Sequence, residues 1–137
     1  MAHIKRLFIS AVLLSLSVSA HFAFSADSKV IAYYFHGDLR CLTCNKMEQY
    51  TKEAIDRDFE EEVAEGTVVF KAINVEEEEN RHFTDEYQLY TKTLIISQVE
   101  DGKEVRYKNL NKIWEYVMDK ERFSDYVTGE INDYLKK

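Results

Sequence analysis

Val30 to Phe35 (VIAYYF) is a β-branched and aromatic run without one polar residue, the pattern of a strand buried on both faces. His36 to Arg40, with Gly37 inside it, interrupts the run as a turn. From Cys44 the period changes. Met47, Thr51, Ala54, Ile55, Phe59 and Val63 form one stripe at helical spacing, with Lys46, Glu53, Arg57 and Glu60 outside it. A long helix is expected there, ended by Gly66, with Cys41 and Cys44 at its entry. Thr67 to Val75 (TVVFKAINV) reads as a second strand. Glu76 to Glu79 reads as a solvated acidic loop, and Asn80 as the N-cap of a shorter helix running from Arg81 to Tyr90. Leu94 to Val99 and Glu104 to Asn109 are two strands around Asp101-Gly102, a strong hairpin signal. Asn111 is expected to cap the last helical region. Within it, Ile113, Trp114, Val117 and Met118, then Phe123, Tyr126, Val127, Ile131, Tyr134 and Leu135, give one kinked helix or two consecutive ones.

The order is strand, helix, strand, helix, hairpin, helix. Strands separated by helices imply a parallel pair joined by a right-handed crossover, and the hairpin adds antiparallel strands to the same sheet. The expected class is therefore α/β, with a mixed four-stranded sheet flanked by helices. The tyrosines, at 33, 34, 50, 87, 90, 107, 116, 126 and 134, fall mostly on the expected core faces and read as packing.

The stretch before Val30 has a different character. His3 to Arg6 is basic, and Leu7 to Val18 is apolar except for serines. This is the pattern of a secretory signal peptide. Small residues offer cleavage after Val18-Ser19-Ala20 or after Ala23-Phe24-Ser25, and the second is preferred. It divides the chain into a leader, 1–25, and a domain, 26–137, expected in the periplasm or secreted. The apolar run is short for a spanning helix, and no cysteine follows it to carry a lipid.

Composition narrows the function. At 137 residues and 45% hydrophobic, the chain suits one domain with one core. Its net charge is -7, and the leader holds Lys5 and Arg6 but no acid, so removing it leaves -9. Nucleic acid and anionic membrane surfaces are poor partners for such a domain. No other segment is apolar enough to span a bilayer.

The two cysteines carry the candidate chemistry. Export would place them where disulfides form, yet a bond between residues three apart constrains little unfolded-chain entropy. Stapling is a weak explanation for the pair. At the junction of a buried strand and a helix, the first thiol meets the helix's positive end, where unpaired N–H groups stabilise a thiolate. The second lies about one turn further in and is more buried. That division suits thiol-disulfide exchange, with Cys41 attacking and Cys44 resolving the mixed disulfide. Arg40 would add a cation beside the thiolate. A structural zinc site needs four ligands, and the domain 26–137 offers only this pair besides His36 and His82. Two soft thiolates would suit copper(I), with His82 as a third ligand.

VIAYYF, CLTC, TVVFKAINVEEEEN, YQLYTKTLII and the EDGK turn, in this order, resemble the thioredoxin-like superfamily over about residues 29–136. YYFHGDLRCLTCNKMEQYTKEAI further resembles a subgroup of exported thioredoxin-like proteins, the ArsF-type nitrophenyl-compound nitroreductase subunits. The resemblance implies a thioredoxin-like fold and a dithiol-disulfide oxidoreductase or electron carrier without a cofactor. It would act as a monomer between a protein redox donor and a protein client. An exported domain with CxxC and a distant histidine is also similar to copper-delivery proteins of the Sco type. A binding domain that holds a partner over Lys92 is a third reading.

The departures from the superfamily are informative. Its usual cis-proline, which faces the cysteines, is matched here by Lys92 after Thr91, and the chain contains no proline. A non-proline cis bond costs about 2.5 to 4 kcal/mol, so a trans Thr91-Lys92 wall is expected. Arg40 stands where a tryptophan commonly precedes the first cysteine, and the first strand lacks the usual buried acid. Proton transfer at Cys44 would then fall to His36 or Asp38. Proteins of this fold span about -270 to -120 mV, roughly 7 kcal/mol, whereas a helix end contributes about 0.3 to 1 kcal/mol. Arg40 and Lys92 favour the reduced form and the net negative charge opposes it.

Overall fold

The chain is described by a computed structural model over residues 27–136; the expected leader, 1–25, lies outside the described residues. Strand β1 (Ser28–His36) is central, which accounts for its unbroken apolar run. After it come α1 (Leu42–Asp58), α2 (Glu60–Glu65) and β2 (Val68–Asn74). A 3-10 turn (Glu78–Asn80), α3 (His82–Glu86), β3 (Thr93–Glu100) and β4 (Lys103–Asn109) come next. The described chain closes with α4 (Ile113–Tyr116) and α5 (Lys120–Leu135). β1 pairs in parallel with β2, from Val30 opposite Val68 to His36 opposite Asn74. It pairs antiparallel with β3, from Ser28 opposite Glu100 to Phe35 opposite Thr93. β4 lies antiparallel on β3, giving the sheet order β2-β1-β3-β4. Asp101 and Gly102 have φ of 51° and 77°, the left-handed pair that a two-residue hairpin turn requires. The class is α/β, a mixed four-stranded sheet flanked by helices, as the order of elements predicts.

Alternation along the strands separates two faces. Val30, Ala32, Tyr34, Leu94 and Ile96 join Met47 and Ile55 of α1, and Phe123, Val127 and Ile131 of α5, in the larger core. Phe35 and Ile95 point the other way, and with Tyr87 form a smaller core flanked by Tyr33, Ile73, Val75, Phe83 and Leu89. Among the described residues, no helix is long and apolar enough to cross a membrane.

The structure corrects several boundaries. The long helix expected through Val63 breaks at Phe59, whose φ is -133°. Phe59 is buried while α2 buries nothing, so the break keeps the ring in the core and turns Glu60, Glu61 and Glu62 to solvent. Those acids then occupy the first turn of α2, where the helix's positive end favours them. Asn80 does not cap a helix: its Nδ2 donates to the Asn74 carbonyl at 3.0 Å and to Glu77 at 3.1 Å, tying the turn back to β2. The helix from Arg81 to Tyr90 shrinks to α3. Asn111 offers only its backbone carbonyl to Trp114, and the side-chain cap is Asp119, which accepts from the Arg122 amide and opens α5. Two consecutive helices result. Val63, Trp114 and Met118, expected on apolar faces, are exposed, as are Tyr90 and Tyr107 among the tyrosines.

Candidate functional site

β1 ends at His36, and a loop of five residues, 37–41, delivers the chain to the first turn of α1. Cys41 is the N-cap of that helix, in extended backbone conformation, and its Sγ accepts from the Cys44 amide at 3.0 Å. The sulfur takes the place of the oxygen that usually caps a helix, so one of the orphan N–H groups is aimed at it. Cys41 and Cys44 form a disulfide, with Cα atoms 5.0 Å apart. Cys41 is exposed and Cys44 is 1% exposed. An incoming thiolate therefore meets the Cys41 sulfur first. In the reduced protein the same N–H and the positive end of a 17-residue helix would favour the Cys41 thiolate.

Behind the pair stands a residue that the sequence did not single out. The hydroxyl of fully buried Tyr34 donates to the Cys44 carbonyl at 2.8 Å, linking β1 to the first turn of α1. Burial pushes this phenol up to about 12, with nearby Arg40 acting in the opposite direction. It stays protonated at neutral pH and holds the backbone; it is no base for Cys44. Period-two alternation, which puts Tyr34 on the α1 face with Val30 and Ala32, was the available signal.

The loop itself is tied to β2. The Asn74 amide donates from Nδ2 to the Asp38 carboxylate at 2.7 Å, while its Oδ1 accepts from the Glu76 N–H at 3.1 Å. Glu76 completes the ring by accepting from the Asp38 amide at 2.6 Å. Gly37 eases this approach: a Cβ there would lie 3.0 Å from the Glu76 carboxylate, which would have to shift by a few tenths of an ångström. Asp38 is thus bonded to β2, and His36 Nδ1 lies 3.1 Å from the Gly37 carbonyl. Neither hydrogen-bonds to Cys44. Arg40 is ion-paired with Glu48 on the second turn of α1, so its charge is partly balanced before it reaches the sulfur.

Thr91 and Lys92 immediately precede β3, whose Thr93 pairs with Phe35. This places them beside the end of β1 from which the cysteine loop departs. No peptide bond among the described residues is cis, so the Thr91-Lys92 bond is trans. The segment forms a ridge between two shallow cavities. One, of about 190 Å³, is bounded by His36, Gly37, Glu76, Thr84 and Leu89; the other, of about 170 Å³, by Leu110, Ile113 and Trp114. Both share Tyr90, Thr91 and Lys92. Leu39 and Leu42, either side of Arg40 and Cys41, are each 84% exposed. The surface beside Cys41 is thus apolar, while Lys92 places a charge at the ridge next to His36 and Gly37.

The copper(I) expectation loses its third ligand. His82 lies in α3, its Nδ1 2.9 Å from the Glu79 carbonyl and its ring against Phe83. Among the described residues, no group of three or more His, Cys, Asp or Glu side chains is gathered that could hold a metal ion.

No family model matches the sequence, and no curated protein matches it. Solved structures do. A malarial protein is similar at 11% identity and a TM-score of 0.41, over 67% of this chain and 96% of that one. Thioredoxin from Fasciola hepatica is similar at 22% identity and a TM-score of 0.40, over 66% of this chain and 79% of that one. Thioredoxin from Thermus thermophilus is similar at 14% identity and a TM-score of 0.36, over 66% of this chain and 72% of that one.

Proposed function

We propose that the chain is a thiol-disulfide oxidoreductase that carries two electrons between a protein donor and a protein client. The observation that carries this reading is the asymmetry of the disulfide, with Cys41 exposed at a helix N-cap and Cys44 buried behind it. In the reduced state the Cys41 thiolate attacks one sulfur of a client disulfide, forming a mixed disulfide and releasing the other sulfur as a thiolate. Cys44, on losing its proton, attacks the Cys41 sulfur. The internal disulfide re-forms and the second client thiolate leaves, so the client gains two electrons and the protein loses two. A donor dithiol then reverses the sequence on the carrier.

The basic and apolar pattern of residues 1–25 supports export to the periplasm or beyond the cell, where such a carrier would serve other proteins. The resemblance of residues 33–55 to nitrophenyl-compound nitroreductase subunits makes a nitroaromatic reductase system the first client to try.

The test is reduction of insulin disulfides, together with the reduction potential in glutathione buffers, the thiols being trapped by alkylation and counted by mass. A potential near about -270 mV and steady turnover are expected of a reducing carrier. A value near about -120 mV would make the protein a disulfide donor instead. Cys41→Ser should abolish exchange and leave the fold intact; turnover that survives it would remove the cysteine pair from the reaction.

A further inference from the structure

The Thr91-Lys92 ridge has no proline to stiffen it, and the chain contains none at all. Its backbone is also thinly bonded. Among the described residues, the amides of Tyr90, Thr91 and Lys92 donate to no backbone acceptor. Two side chains hold the ridge instead. The Thr93 hydroxyl donates to the Thr91 carbonyl at 2.8 Å, a local bond two residues long. The Trp114 indole N–H donates to the Lys92 carbonyl at 3.0 Å, reaching across from α4. Only the second reaches an element other than β3, which the ridge directly precedes.

Trp114 is also an unusual use of the residue. It is the single tryptophan of the chain and is 41% exposed, although Ile113 beside it and Tyr116 two further on are buried. α4 is therefore seated in the core by Ile113 and Tyr116, and presents Trp114 at the rim of the second cavity with its N–H turned to the ridge. Packing does not require an indole at that exposed position. A donor at the end of a rigid ring, carried on a short helix with a buried base, is what fixing a neighbouring carbonyl does require.

We propose that Trp114 is a positioning residue for thiol-disulfide exchange: by holding the Lys92 carbonyl it fixes the ridge against which the client chain docks. This rests on the exchange reading above. The bond occupies only the Lys92 carbonyl, and the Thr91 and Lys92 amides have no backbone partners among the described residues, so a client strand laid along the ridge finds donors already in place. Trp114 touches neither sulfur and takes no part in electron transfer, so its loss weakens client binding and leaves the chemical step alone.

Trp114→Phe keeps the ring and removes the donor. In insulin reduction it should raise KM roughly three- to tenfold, the range for one lost hydrogen bond, with kcat and the reduction potential unchanged. Trypsin cleavage after Lys92 in the native protein should quicken, while cleavage within β1 and α1 stays as in the wild type. A variant cleaved no faster after Lys92 overturns the proposal, because the indole then holds nothing. Faster cleavage with an unchanged KM also overturns it, because the client then docks elsewhere. If wild-type protein itself exchanges no disulfide, the function falls first, and that result is read on the wild type before any variant.

Discussion

The two faces of the sheet are built to different standards. One is closed by α1 and α5, and its core holds seventeen buried residues, with Phe123, Val127 and Ile131 fully buried. The other is covered by a three-residue 3-10 turn and the five-residue α3, over a core of Phe35, Tyr87 and Ile95. The candidate site straddles the difference. Cys44 sits on the helix that the larger core braces, through Met47, Thr51, Ala54 and Ile55. The ridge that faces the cysteine loop comes after α3, and rests on side-chain bonds from Thr93 and Trp114. One half of the site is fixed by packing and the other by single hydrogen bonds, so the cysteine helix is the stiffer half and the ridge the more easily displaced.

The comparison predicts unequal costs. Phe123→Ala on the heavily packed face should lose about 3–5 kcal/mol, from lost transfer energy and a cavity that closes poorly. Phe83→Ala, partly buried against Phe35 and Tyr87, should lose only about 1–2 kcal/mol. Urea unfolding of both variants would measure this, and equal losses would end the distinction.

A smaller effect concerns the contact between the packed core and the disulfide. The Tyr34 phenol is held protonated up to about 12, chiefly by burial, against 10 in the unfolded chain. The unfolded state therefore loses this proton first, so stability is intact below pH 10 and falls as pH rises from 10 to 12. Its share of the loss is about 1.4 kcal/mol at pH 11. Tyr34→Phe should remove that share from the difference between urea unfolding at pH 9 and at pH 11. Tyr87, Tyr33, Tyr126 and Tyr134 are also raised, chiefly by burial, and keep some alkaline sensitivity in the variant. An unaltered pH difference would mean that Tyr34 is not sealed from water.

The smallest effect belongs to the lightly covered face. Gln88 has φ of 50°, and the Leu89 amide returns to the Thr84 carbonyl at 2.9 Å, so a non-glycine residue supplies the left-handed position that ends α3. Gln88→Gly relieves that strain at the cost of chain entropy, and should gain about 0.5–1 kcal/mol by thermal or urea unfolding. A loss would show that the Gln88 side chain contributes more than its backbone strain costs.

The strands, the hairpin turn and the placement of both cysteines at a helix entry were legible in the sequence because each depends on neighbours only a few residues apart. VIAYYF is central because it has no polar face, and Asp101-Gly102 turns because both residues accept a positive φ. The break at Phe59 was hidden, since an apolar residue four after Ile55 continues the same stripe whether or not the helix does. Asn80 resembles a cap because the residue type suits caps, and only the folded chain brings its amide back to β2. The supports of the candidate site were hidden for the same reason. Asn74 and Asp38 are 36 residues apart, Asp38 and Glu76 are 38 apart, and Trp114 and Lys92 are 22 apart. No local period records such pairings.

β4 ends the sheet, and the register between it and β3 slips at Gln98 and Val99, where Gln98 faces Arg106 and Val99 faces Glu104. Along this edge stand Lys103, Arg106 and Lys108, the last two bonded inward to Gln98 and Glu130. A strand from a second molecule would have to follow the kink and take three cations out of water to extend the sheet here. β4 is thus a poor template for a strand from another copy of the chain, and of the sheet's two outermost strands it is the one guarded by charge and kink.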